Sequence, residues 1–126
     1  MQDCILIEGL KVETVIGCFD WERQIRQPLL LDLIIFVDLS KAAASDALAD
    51  TLNYAEICAL ASQVIIQAQP ELIEHAAHIV LQALFQQFSA IEKIRITVRK
   101  PAIIPAAQSV GIQLERHRDY LCDSHC

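Results

Sequence analysis

The stretch Lys93–Lys100, KIRITVRK, decides the fold. Ile94, Ile96 and Val98 fall on one side of an extended chain, and Arg95, Thr97 and Arg99 on the other. This period of two predicts a strand with one covered and one open face. SVGIQLER, residues 109–116, repeats the pattern, with Val110, Ile112 and Leu114 opposed to Gly111, Gln113 and Glu115. Upstream, residues 3–16 form a strand with Gly9 as a candidate bulge; Leu10, Val12 and Thr14 oppose Lys11 and Glu13. LLLDLIIFVD, residues 29–38, follows Pro28 as a nearly continuous apolar strand, of the kind covered on both faces or packed at a subunit contact.

Between these two pairs of strands the period changes. SKAAASDALADTLNYAE, residues 40–56, is helix-prone but interrupted. Asn53 and Glu56 then have capping-box spacing, and Ile57, Cys58, Ala61, Val64, Ile65 and Ala68 make one apolar stripe. Pro70 suits the first turn of a second helix, with Leu72, Ile73, Ala76, Ala77, Val80, Leu84 and Phe88 inward and Glu71, His75, His78 and Gln82 outward. The predicted order is β-β-α-α-β-β, an α+β antiparallel sheet with two helices on one face. Residues 1–118 make a single domain, and the aperiodic end, HRDYLCDSHC, is expected to fray, leaving 119–126 as a flexible tail.

The 126 residues carry a formal net charge of -6 and no basic run longer than Arg99–Lys100, which argues against nucleic acid and a triphosphate substrate. The 54% apolar content exceeds the usual ~45–50% and can line a core or subunit contacts. No apolar run reaches the ~18 residues of a membrane span, and the N-terminus lacks the pattern of a signal peptide. Five cysteines without a close pair read as free thiols in the cytoplasm, with Cys58 in the core.

PELIEHAAHIV, residues 70–80, offers His75 and His78, but no third ligand lies near, so a solvated stripe fits better than a metal centre. Cys122, His125 and Cys126, with His117, are metal ligands by type but sit in a tail without a scaffold. Lys100, before Pro101, shares the face of Ile94, Ile96 and Val98, and either snorkels to water or is desolvated for chemistry; its residue type alone favours snorkelling. GCFDWERQIRQP, residues 17–28, is long for a hairpin loop, and such loops are often functional. It holds Glu22, a residue type usually solvated in loops, and Trp21, the sole tryptophan, which can stack on a ligand or anchor the loop. Tyr54 opens a helix, where its hydroxyl can reach a neighbour or a substrate.

IGCFDWERQIRQPLLLDL, SDALADTLNYAEI, LIEHAA and VRKPAIIPAAQSVGIQLER together resemble successive segments of the bacterial dihydroneopterin aldolase family. The likeness runs in order from about residue 3 to 116. It implies the tunnelling fold (T-fold), in which subunits join sheets into an oligomeric barrel, as a tetramer ring or an octamer, with active sites between subunits. It implies retro-aldol cleavage of 7,8-dihydroneopterin, a small-molecule pterin substrate, to 6-hydroxymethyl-7,8-dihydropterin and glycolaldehyde in folate biosynthesis. No cofactor, metal or Schiff base is implied, and no membrane or nucleic-acid partner.

Carried over residue by residue, the resemblance makes Glu74 the pterin anchor and Ile73 a backbone contact. Lys100 becomes the manager of the 2′-hydroxyl proton, Tyr54 a donor from the adjacent subunit, and Glu22 the loop carboxylate at the reacting side chain. For Lys100 to be neutral at pH 7, its ordinary pKa of ~10.4 would have to fall by roughly 2–3 units; otherwise it acts charged, as a donor or water-holder. Phe19 stands where the family often has Tyr, Ala102 where it has Gly, and Cys18 where a small aliphatic residue is frequent. The alternatives are a dihydroneopterin triphosphate 2′-epimerase and a non-catalytic pterin-binding oligomer. Epimerase side activity through the same intermediate is expected.

Overall fold

A computed structural model describes residues 3–101 and 105–119. The strands are β1 (Cys4–Thr14), β2 (Gln27–Phe36), β3 (Lys93–Pro101) and β4 (Ser109–His117). Between β2 and β3 lie a short helix α1 (Ser40–Ser45), a single 3-10 turn (Leu48–Asp50), and the helices α2 (Tyr54–Ala68) and α3 (Ile73–Gln87). The sheet order is β1-β2-β3-β4, and every neighbouring pair is antiparallel. The fold is α+β, as the strand and helix periods predict, with α1 filling part of the interrupted connection.

The period-two pattern explains the core. Leu29, Leu31, Leu33 and Ile35 of β2, with Ile94, Ile96 and Val98 of β3, are buried. They meet Ile57, Ala61 and Ile65 of α2 and Ala76, Ala77, Val80, Leu81, Leu84 and Phe85 of α3. The opposite face of the sheet mixes charged pairs with apolar side chains such as Leu30 and Ile34. Arg99 pairs there with Asp32 at 2.6 Å, and Arg95 with Glu115 at 2.8 Å. β2 is covered by this chain on one face only, and Leu30 stays exposed. Gly9 takes a positive φ of 67° at the expected bulge, where the β1–β2 register shifts between Ile7 and Leu10, and its N–H donates to Asp32 at 2.8 Å.

Asn53 caps α2 as its spacing predicts: its side chain accepts from the N–H groups of Ala55 and Glu56. The end of α2 differs from a glycine cap. Gln69 occupies the left-handed region at φ 46°, and its N–H returns to the Ile65 carbonyl. Helix α3 begins at Ile73, so Pro70 is in the connection, not in the first turn. Leu72 is then extended and 51% exposed rather than inward. The buried stripe becomes Ile73, Ala76, Ala77, Val80, Leu81, Leu84 and Phe85; Phe88 only packs against its edge.

Cys58 is half-buried rather than core, and burial pushes its thiol pKa up. Arg118 is not frayed. Its guanidinium donates to the carbonyls of Phe85 at 2.8 Å, Phe88 at 2.6 Å and Ile91 at 2.8 Å, closing the end of α3. Apart from Asp119, the expected tail 119–126 lies outside the described residues, as do Cys122, His125, Cys126 and Ala102.

Candidate active site

The loop from β1 to β2 turns its carboxylate inward. Gly17 has φ 118°, and a single 3-10 turn at Glu22–Gln24 follows. The N–H groups of Glu22 and Arg23 both return to the Phe19 carbonyl, at 2.9 and 3.2 Å. Glu22 is thereby 1% exposed, although residue type alone favours a solvated loop carboxylate. A side chain at Gly17 would collide with the Glu22 carboxyl, so glycine is required both by the backbone and by the space.

Lys100 approaches from the end of β3. Its Nζ donates to Glu22 Oε2 at 2.9 Å, and its side chain is 14% exposed. Lys100 is therefore paired and mostly covered, and does not snorkel to water. The first residue of β2 supplies the third member. Gln27 is 7% exposed, and its Nε2 donates to Glu22 Oε2 and to the Ile16 carbonyl, each at 3.0 Å. The Phe19 N–H reaches Glu22 Oε1 at 3.4 Å. Burial alone raises the Glu22 pKa. The hydrogen bonds from Gln27, Lys100 and Phe19, with the Lys100 charge, outweigh it and leave the carboxyl below its ordinary value.

The loop is stitched to the start of α3. Arg23 donates to the carbonyls of Gly17 at 3.1 Å, Pro70 at 3.3 Å and Gln69 at 2.7 Å. The Cys18 thiol faces the Glu71 carbonyl at 3.8 Å. Ile73, buried, and Glu74, exposed, then stand in the first turn of α3, which no side chain caps. A helix N-terminus of this kind favours acceptors and negative charge.

The structure joins Glu22 to Lys100 directly and ties their loop to the segment before Ile73 and Glu74. Tyr54 stands apart. It opens α2, is 54% exposed, and borders a depression with Leu39, Ala42 and Leu48. Its hydroxyl has no hydrogen-bond partner among the described residues. Phe19 and Trp21 are exposed on the outer side of the loop. His75 and His78 stack with ring centroids 6.1 Å apart, and no group of three His, Cys, Asp or Glu side chains converges among the described residues. No described helix is long and apolar enough to cross a membrane.

Residue type alone does not mark Gln27, Arg23 or Gly17. Gln27 carried a usable signal: it is in phase with Leu29, Leu31, Leu33 and Ile35, where a polar residue must find buried partners. Arg23 carried none, because the Gln69 and Pro70 carbonyls it reaches belong to a distant turn.

The four-stranded antiparallel sheet backed by two helices thus carries a lysine–carboxylate pair at one end. The family profile described as FolB, dihydroneopterin aldolase, matches residues 5–115. The dihydroneopterin aldolase of Escherichia coli (strain K12) is 38% identical over 114 residues, covering 90% of this chain and 93% of that protein. A FolB structure from Vibrio cholerae O1 biovar El Tor superposes with a TM-score of 0.88 at 38% identity, over 93% of this chain and 98% of the other. The E. coli dihydroneopterin aldolase in complex with neopterin gives 0.85 at 38% identity, over 90% and 98%. The chain belongs to the dihydroneopterin aldolase family.

Proposed function

We propose that this chain cleaves the C1′–C2′ bond of 7,8-dihydroneopterin, a lyase reaction giving 6-hydroxymethyl-7,8-dihydropterin and glycolaldehyde for folate biosynthesis. The observation that carries the reading is the pairing of Lys100 with the buried Glu22 at 2.9 Å in a chain of this family. The solved E. coli relative, bound to neopterin, supports a pterin ligand.

The 2′-hydroxyl loses its proton, C2′ becomes the aldehyde carbon of glycolaldehyde, and the C1′–C2′ electrons pass into the dihydropterin ring. A proton delivered to C1′ completes the hydroxymethyl product. The ring is the electron sink, so the reaction needs neither metal nor Schiff base, and no cofactor is required. Lys100 moves the 2′-hydroxyl proton, Glu22 holds Lys100 and the reacting side chain, and Tyr54 hydrogen-bonds that side chain. Well-placed acid–base groups contribute ~10²–10⁴-fold each. Glu74 accepts from the pterin 2-amino and N3–H groups as a bidentate carboxylate, and Ile73 contributes through its backbone. Epimerisation at C2′ follows if glycolaldehyde recombines on its other face.

The exposure of Tyr54, whose hydroxyl has no hydrogen-bond partner among the described residues, supports a site between subunits of a tetramer ring or octamer. Residues 1–118 are the catalytic domain of a cytoplasmic enzyme in this reading. Lys100→Ala tests it: turnover should fall by ~10²-fold or more while pterin affinity stays within about tenfold, ~1.4 kcal/mol. Unchanged turnover would refute the assignment of Lys100. Glu74→Ala should instead weaken pterin binding by on the order of 10²-fold, through loss of two charge-assisted bonds.

A further inference from the structure

We propose that Gln27 is a positioning residue for this reaction: its buried carboxamide holds the Glu22 carboxylate in the one orientation that receives Lys100. This rests on the reading of Glu22 and Lys100 as the reaction centre.

Both protons of the Gln27 amide are committed. One goes to the Ile16 carbonyl and one to Glu22 Oε2, each at 3.0 Å. Both partners are acceptors, so a flipped amide would set its oxygen against two oxygens in a buried space. The carboxamide therefore has a single workable orientation, and only an uncharged double donor of this length provides it. Glu22 Oε2 is shared, since it also accepts from Lys100 Nζ at 2.9 Å. The direction of the carboxylate thus sets where the lysine amine rests. Gly17 leaves space for that carboxylate, and the Phe19 N–H steadies its second oxygen.

The surroundings leave Gln27 little competition. Lys100 of β3 is the charged side chain that faces Glu22 among the described residues. Arg23, next to it in the loop, is turned to the carbonyls of Gly17, Gln69 and Pro70. From β1, opposite Gln27, comes the uncharged Thr14. Burial disfavours a charged Glu22 and Gln27 is the first of the groups that offset it. A substitution that removes the donors should therefore loosen the carboxylate and make it easier to protonate.

The test uses the full-length protein with 13C-labelled glutamate side chains, Glu22 being assigned through Glu22→Gln. Its carboxyl is titrated in the wild type, Gln27→Met and Gln27→Glu, alongside the pH profile of kcat and the KM for 7,8-dihydroneopterin. In both variants the Glu22 midpoint should rise by about one pH unit or more, the acid limb of kcat should move with it, and KM should change less than about threefold. A midpoint within about 0.3 unit of wild type in the variants would overturn the proposal. A midpoint that rises while the acid limb stays put would leave Gln27 holding Glu22 but remove Glu22, and with it this residue, from the reaction. The wild-type chain gives a check that needs no variant. The Gln27 side-chain 15N resonance should shift with the Glu22 midpoint, and a resonance indifferent to that titration would also overturn the proposal.

Discussion

At Gly17 the backbone stands at φ 118° and the space beyond its Cα is filled by the Glu22 carboxyl. Gly17→Ala should expel that carboxylate and free Lys100, lowering kcat by on the order of 10²-fold with little change in pterin KM. Steady-state kinetics check it, and wild-type turnover would show that Glu22 has another way in. Glu22 also sets a pH dependence. Its folded pKa lies below the ordinary value of about 4.5, so its stabilising contribution is complete above that value and is lost as pH falls through the folded pKa. Thermal unfolding should be level from neutral pH down to about 5 and fall below it, and the fall should be smaller in Glu22→Gln. Thr14 makes a sharper case. Its hydroxyl is buried opposite Gln27 without a partner among the described residues, at a cost of about 1–3 kcal/mol, so Thr14→Val should leave stability unchanged or raise it in denaturant titration. Lys100 and Thr14 were legible in the sequence as polar residues in phase with apolar ones. The burial of Glu22 was not, because a loop has no period to read and its inward turn depends on hydrogen bonds to residues of β2 and β3.

At the scale of elements, the strands were legible because period two is insensitive to where a strand begins. Helix α3 was less so. Pro70 suits a first turn by type, yet the helix starts three residues later, since residues 69–72 must turn the chain and present the Gln69 and Pro70 carbonyls to Arg23. That delay rotates the buried stripe onto Leu81 and Phe85 and turns Leu72 outward. Arg23 thus ties the loop carrying Glu22 to the turn that precedes Glu74. Arg23→Ala should lower kcat and raise pterin KM together, each by roughly tenfold, whereas a purely local role would move one alone. The end of the helix has its own fastening. Arg118→Ala would leave the carbonyls of Phe85, Phe88 and Ile91 without their shared donor and should cost about 2–3 kcal/mol in denaturant titration, with kcat unchanged.

Across the whole molecule, the apolar surplus is only partly used by one chain. Leu30, Leu48, Ile66 and Leu72 stay exposed, and so does Tyr54, which among the described residues makes no hydrogen bond to the Lys100–Glu22 pair. Neighbouring subunits would bring Tyr54 to another chain's Lys100. Mixing Lys100→Ala chains with Tyr54→Ala chains should then restore activity, to about a quarter of wild type if subunits exchange at random in a symmetric ring. Two inactive variants that stay inactive after mixing would place both residues in one subunit's site. The proposed reaction turns on one chemical event, the breaking of C1′–C2′. Incubating the protein with 7,8-dihydroneopterin and separating the products by chromatography reads it directly. Equal amounts of 6-hydroxymethyl-7,8-dihydropterin and glycolaldehyde are the predicted result; the 2′-epimer alone, or substrate recovered intact, would contradict it.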